Sequence, residues 1–275
     1  MRYGKEGRTF GIVGGVSLPL YRLSELLGVR RCLFCRLPIG KDGWLCEACE
    51  EAFDEEKRWE CGACGSLLSE CECSSPYLST HGVRRLIKLY RYRPDTDARV
   101  NLLLFRLKRQ DYRAIRLFLA DELASSVRRV IEKGKGEYLL TYVPRTASAR
   151  RRYGFDQSKE LAQALSERLS LPYETLLCRS DAARKQKRLR SRAERIQNAR
   201  ESFLPATSAS LTGRHILLLD DTVTTGASLA ACAYVLRKMG AREVIGVSPF
   251  VSFRHKNLRI EQEQNSRLEK YYKSK

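Results

Sequence analysis

The sequence predicts an α/β protein with a mainly parallel sheet, preceded by a small cysteine-rich module. Three observations carry this. Short branched apolar runs alternate with amphipathic stretches over the second half of the chain, the order expected of strands joined by helical crossovers. An Asp-Asp pair and a hydroxyl-rich turn stand between one such run and the next helix, and eight of the ten cysteines lie between positions 32 and 73. The chain has 275 residues and 43% hydrophobic content, enough for one large or two small packed domains. A net charge of +19 predicts attraction to polyanions such as nucleic acid, a nucleotide-like ligand or an anionic membrane face. No apolar run approaches the ~20 residues that span a bilayer, so the chain is not expected to be an integral membrane protein. The stretch 11–20 is short, rich in glycine and without a processing site, so no signal peptide is read. The expected location is cytoplasmic, or peripheral to the inner face of the membrane.

Taken in order, residues 1–31 form a weakly patterned segment. Leu18, Leu20, Leu23, Leu26 and Leu27 can share one face of a short helix. The cysteines then run Cys32-x-x-Cys35, Cys46-x-x-Cys49, Cys61-x-x-Cys64 and Cys71-x-Cys73. Two thiolates two residues apart can meet one ion at ~2.3 Å, and two such pairs complete a tetrahedral zinc site. Disulfides would need an oxidising compartment that nothing else in the chain suggests. Sequential pairing gives one site from the first four cysteines and one from the last four; interleaved pairing stays open. Cys178 and Cys232 are expected in the core. Ser74-Ser75-Pro76 marks a boundary. The expected organisation is a helical segment over 1–31, a double zinc ribbon over 32–75, an α/β domain over 76–253 and a basic tail over 254–275.

Residues 83–92 fit a strand or a helix equally well. Amphipathic helices are expected over 97–108 and 111–133, a strand over 138–143, a helix over 157–169 and a strand over 173–177. A basic stretch at 179–200 is longer than an ordinary connection and suggests a lid or binding segment. A strand over 216–219, a helix over 225–239 and a strand over 244–251 follow. The charged tail is expected to be solvated.

The run from His215 to Ser228 carries most of the chemistry. Ile216 to Leu219 is continuously apolar, as a central parallel strand buried on both faces should be. The turn after it therefore stands at the carboxyl end of a strand, where open α/β sheets bind ligands. Amides and hydroxyls of residues 224–228 would face an anion, whereas Asp220 and Asp221 would repel one and suit sugar hydroxyls or a divalent cation. A strand-turn-helix with a capping Thr is the plainer alternative. A Lys-containing P-loop is absent from the sequence.

This segment resembles the phosphoribosyl-pyrophosphate (PRPP) motif of type I phosphoribosyltransferases: apolar residues, two acids, then Thr-Thr-Gly. The resemblance implies a type I phosphoribosyltransferase-like fold. It also implies that Asp220 and Asp221 contact the ribose hydroxyls, and that Val223, Thr224, Thr225, Gly226, Ala227 and Ser228 hold the 5′-phosphate. A second loop, Tyr142-Val143-Pro144-Arg145-Thr146 running into Tyr153-Gly154-Phe155-Asp156-Gln157, sharpens the likeness to the ComF family. That family joins an amino-terminal zinc ribbon to a phosphoribosyltransferase-like domain and is linked to DNA uptake in competence. By position Arg145 and Thr146 would line the pyrophosphate pocket. Tyr153 stands where the family pattern has Arg, with Arg152 beside it, and Gln186, Leu189, Arg195 and Asn198 match a third stretch.

The resemblance implies PRPP with Mg²⁺ as ligand, structural Zn²⁺ on the eight cysteines, single-stranded DNA as a partner, and a competence helicase or membrane-channel component as another. Two functional readings follow. In the first the chain is a phosphoribosyltransferase, whose site must neutralise departing pyrophosphate and exclude water. In the second it senses PRPP, binds DNA or acts as an adaptor without turnover.

Overall fold

The computed structural model describes residues 10–13, 16–19, 30–40, 43–93, 96, 99–109, 113–180 and 202–252. The basic stretch 181–201, with the Gln186 to Asn198 match, and the tail from residue 253 lie outside them. The chain divides into two compact units, Met1–Asp54 and Glu55–Lys275. The cysteine groups, read from the sequence as one module over 32–75, fall one in each unit.

The first unit holds the antiparallel pair β1 (Phe10–Val13) and β2 (Val16–Pro19) and most of helix α1 (Glu47–Lys57). Leu18, expected on a helix, is in β2; Leu20, Leu23, Leu26 and Leu27 lie outside the described residues.

The second unit runs α2 (Pro76–Thr80), β3 (Arg85–Arg91), α3 (Arg99–Arg109), α4 (Arg113–Lys133), β4 (Tyr138–Tyr142), α5 (Ala147–Tyr153) and α6 (Gln157–Leu169). It continues with β5 (Leu177–Arg179), β6 (Phe203–Pro205), β7 (His215–Leu219), β8 (Thr222–Val223), α7 (Ala227–Lys238) and β9 (Glu243–Val251). The sheet order is β3-β9-β7-β4, every pair is parallel, and a parallel bridge from Leu140 to Tyr173 extends it past β4. This is the mainly parallel α/β fold that the alternating pattern predicts.

Burial explains why these strands read as unbroken apolar runs. Residues of β4 are buried throughout, as are Ile216 to Leu219 and Val244 to Val251, because helices cover the sheet. Helix α6 packs on β4 and α4, α4 on β3, and α7 on β7 and β9. The ambiguous segment 83–92 becomes a strand because β9 pairs with it from Arg85↔Ile245 to Arg91↔Val251.

Two expectations need correction. The strand read at 173–177 contributes only Tyr173 to the main sheet, where Leu140 N–H donates to Pro172 O (3.0 Å) and Glu174 N–H to Leu140 O (3.1 Å). Its end instead forms β5, antiparallel to β6, and so turns Cys178 outward: that cysteine is exposed, whereas Cys232 is buried as expected. The stretch after Thr146 also contains a helix, α5, capped by the Thr146 hydroxyl and ended by Gly154 at φ 79°.

Candidate ligand edge and metal centres

From the Tyr173 end the sheet reads Tyr173, β4, β7, β9, β3. The chain leaves β4 toward one side and β7 toward the other, so the topological switch point falls between these two strands. Both loops singled out in the sequence leave the sheet there. Pro144 to Thr146 follows β4, and Asp220 to Gly226 follows β7.

The acid pair is held by main-chain and side-chain contacts. Asp220 N–H donates to Val247 O (2.9 Å) and Asp221 N–H to Ser158 Oγ (3.3 Å). Gln157 Nε2 donates to Asp221 Oδ2 at 2.7 Å, and Lys108 Nζ stands 3.8 Å from the same oxygen. Asp221 is buried, whereas Asp220 is half-buried. Burial, and after it the neighbouring Asp221 charge, raises the Asp220 carboxyl well above the usual carboxylate range.

The turn beyond is accessible: Thr224 and Thr225 are exposed, while Ala227 and Ser228 are half-buried. Gly226 is the N-cap of α7 at φ 77° and offers no side chain, and Ala227 N–H donates to Thr225 Oγ1 at 3.4 Å. The N-cap position is thus Gly226, while the Thr225 hydroxyl takes up the first amide of α7. A Cβ at Gly226 would lie 2.7 Å from Leu78 Cδ2 of α2, so the turn can pass there only as glycine. Val223 is buried in β8, which pairs with β9 at Phe250 and Val251.

The second loop is braced from within. Arg145 N–H donates to Asp156 Oδ2 (2.8 Å), and Asp156 caps α6 by accepting from Lys159 N–H. The Arg145 guanidinium donates to Lys108 O (3.2 Å) and lies 4.5 Å from the ring centre of Tyr153. The aromatic residue at 153 thus stacks on the guanidinium rather than offering a second charge. Thr146 spends its hydroxyl on the amide of Ala149 (3.2 Å).

Lys108, Gln157 and Ser158 at the acid pair were not singled out as site residues in the sequence. Gln157 stands in the second loop's motif and could have been found there. Lys108 ends an amphipathic helix far away in the chain and carries no local signal.

Three clefts of about 470, 410 and 540 Å³ lie elsewhere, lined among others by Tyr90 and Glu122, by Cys71 and Arg129, and by Arg84 and Arg237. None has Asp220, Asp221 or the turn in its wall.

The cysteines gather sequentially: Cys32, Cys35, Cys46 and Cys49 in one group and Cys61, Cys64, Cys71 and Cys73 in the other, the sulfurs of each within 4.8 Å of one another. Tetrahedral Zn–S bonds of ~2.3 Å imply S···S separations of ~3.8 Å. Cys35–Cys46 at 3.5 Å and Cys64–Cys71 at 3.4 Å fit that size, so each group could hold a structural zinc. Both first knuckles share one design. Arg36 N–H donates to Cys32 O (3.1 Å) and Gly65 N–H to Cys61 O (2.8 Å), with the donors at φ 65° and 72°.

A mainly parallel α/β sheet with two strand-to-helix loops at its switch point, in a chain that also carries two four-cysteine groups able to hold a metal, is the class of protein that fold and site define. No family model matches the chain. It is 29% identical over 220 residues to the DNA utilization protein YhgH of Escherichia coli, covering 78% of this chain and 93% of that protein. It is also 29% identical over 228 residues to Competence protein F of Haemophilus influenzae, with the same coverage of 78% and 93%. The chain is thus similar to these two proteins over 78% of its length. Among solved structures, a hypoxanthine phosphoribosyltransferase from Staphylococcus aureus aligns at 10% identity over 52% of this chain and 76% of its own, with a TM-score of 0.32. A B. subtilis glutamine PRPP amidotransferase complexed with ADP and GMP aligns at 19% identity over 57% and 28%, also with a TM-score of 0.32. Among the described residues no helix is long and apolar enough to cross a membrane.

Proposed function

We propose that the ligand edge binds PRPP together with Mg²⁺, and that this binding serves the handling of single-stranded DNA. The observation that carries the reading is the acid pair and the turn with its exposed Thr224 and Thr225 meeting at the sheet's switch point. Asp220 and Asp221 would accept hydrogen bonds from the ribose hydroxyls, with Asp221 steadied by Gln157 and Ser158. Because the N-cap Gly226 has no side chain, the first-turn amides of α7 beyond Ala227, which donates to Thr225 Oγ1, would serve the 5′-phosphate, helped by Thr224, Thr225 and Ser228. Arg145 and Thr146 border the place of the pyrophosphate, and Lys108 adds a cation next to the acid pair. Mg²⁺ bound with PRPP would neutralise part of the pyrophosphate charge. The eight cysteines would hold two structural zinc ions.

Domains on this reading are an amino-terminal segment over 1–31, a double zinc ribbon over 32–75, a phosphoribosyl-binding part over 76–253 and a basic tail over 254–275. A transferase would further need an acceptor, for which no residue is assigned. Calorimetric titration of PRPP with and without Mg²⁺ tests the proposal. Saturable binding is expected, lost in Asp221→Ala; no heat or thermal stabilisation at millimolar PRPP would defeat it.

The DNA part rests on the net charge of +19 and on relatives named for DNA utilization and competence. Tyr90 cannot stack on a base, since it is fully buried, but Phe105 is 48% exposed on α3. Affinity for a single-stranded oligonucleotide should fall steeply between 50 and 200 mM salt, by about 10³-fold or more if six phosphates are contacted. Binding that ignores salt would remove DNA from the proposal. A competence helicase or membrane-channel component docking on the zinc-binding part is the adaptor form of the same role.

A further inference from the structure

Lys88 of β3 is 1% exposed, the one basic side chain among the described residues to be buried. Its Nζ donates to Cys73 O (2.8 Å), Cys71 O (3.2 Å), Cys71 Sγ (3.2 Å) and Leu86 O (3.4 Å). Among the described residues no carboxylate stands within ion-pair distance of it. An ammonium taken out of water without a counter-charge costs several kcal/mol, and carbonyl dipoles offset only part of that. The group in contact that can carry a negative charge is the Cys71 sulfur.

Cys71 is one of four sulfurs gathered by Cys61, Cys64, Cys71 and Cys73. Metal ligation requires thiolates, and four thiolates around a divalent ion leave a net charge of −2. A metal in this group would fix that charge 3.2 Å from the Lys88 ammonium, at the Cys71 sulfur. The surrounding contacts tie this group to the sheet. Arg85 Nε donates to Glu72 Oε2 at 2.7 Å, Leu86 N–H to Glu72 O at 2.9 Å, and Cys73 bridges to Arg85 at the start of β3. Ser126 Oγ of α4 donates to Ser69 O at 2.8 Å.

We infer that Lys88 is the built-in counter-charge of the second four-cysteine centre, so that a divalent metal there and the folding of the α/β unit stabilise one another. Lys88 is a positioning residue, acting on the metal through the Cys71 sulfur. The inference rests on the reading that this centre holds a metal, and the test separates the two.

The experiment uses the full chain loaded with zinc, and with cobalt(II) as a spectroscopic probe. Cys35→Ser, which disables the first group, assigns each metal equivalent. With Lys88→Met, the second equivalent should pass to a chromogenic chelator about 10- to 100-fold more readily, the usual effect of losing a partner of a metal ligand. Release of the first equivalent should not change, and Lys88→Arg should recover part of the loss. Thermal melts give the distinguishing sign. Lys88→Met should melt below the unsubstituted protein when both hold metal, and above it when both have been stripped under reducing conditions. A lysine that merely caps carbonyls would lower both melts alike, and that result overturns the inference. Finding metal only in the first group overturns it at its premise; two equivalents with unchanged release overturn the role of Lys88 alone. If Lys88→Met does not fold, stripping the remaining equivalent from Cys35→Ser must lower the melt of the α/β unit, and an unchanged melt overturns the inference.

Discussion

At the second cysteine group a buried ammonium meets one sulfur and three carbonyls at 2.8–3.4 Å, whereas at the ligand edge two carboxyls stand side by side on consecutive residues. Both places lie in the α/β unit. The first matches its charge, and its contacts run into β3 and α4. The second crowds like charges, and Gln157 Oε1 and Thr222 Oγ1 near them are buried without a hydrogen-bond partner among the described residues. Such unrelieved polar groups cost stability, and proteins keep them where a ligand is to be met. The contrast teaches that one unit is secured in one place and left under tension in another.

The largest expected effect breaks the cysteine side. Structural zinc sites are worth about 10–16 kcal/mol in apparent binding free energy, as much as or more than the ~5–15 kcal/mol that holds an ordinary domain together. Cys71→Ser is therefore expected to abolish the cooperative melt of the α/β unit followed by near-ultraviolet circular dichroism. Cys35→Ser, in the unit of residues 1–54, should leave that melt in place. Equal behaviour of the two would erase the distinction between the groups.

An intermediate effect shows that part of the ligand edge is structural. Gly226→Ala forces a side chain onto a left-handed residue and places it 2.7 Å from Leu78 Cδ2. Backbone strain and overpacking together should cost about 3 kcal/mol in urea denaturation. Leu78→Ala in the same chain should return only the packing share of that loss.

The smallest effect has the opposite sign. Because its folded-state pKa is raised, Asp220 contributes stability that is present below the ordinary carboxylate pKa of ~3.9 and is lost as pH rises through the raised value. Asp220→Asn removes that pH dependence. It should match the unsubstituted protein near pH 3 and exceed it at neutral pH by about 1 kcal/mol, the size of an ordinary substitution effect. PRPP binding should be lost at the same time. A destabilised Asp220→Asn would mean that the edge is not under tension.

The strand-turn-helix of β7 and α7 was legible because its signals are local: an apolar run, two acids and a turn that must end in glycine. The cysteine groups were legible for the same reason, since ligands two residues apart meet without help from distant chain. Residues 83–92 were not, because only pairing with β9, some 160 residues later, makes them a strand. Cys178 was misplaced in the core because β6 draws its segment into a separate antiparallel pair. Lys108 carried no sign of the 3.8 Å approach to Asp221 that α3 gives it.

What the sequence determined by itself is the chemistry that short stretches of backbone can assemble: two sets of thiols, an acid pair, a hydroxyl-rich turn and the alternation that makes a parallel sheet. What tertiary structure alone decided is which charges meet. Lys88 in a strand of mixed apolar and basic residues reads like any other lysine until folding carries it out of water. Only the neighbours that then surround it, brought from 15 and 17 residues away, give the charge a place to rest.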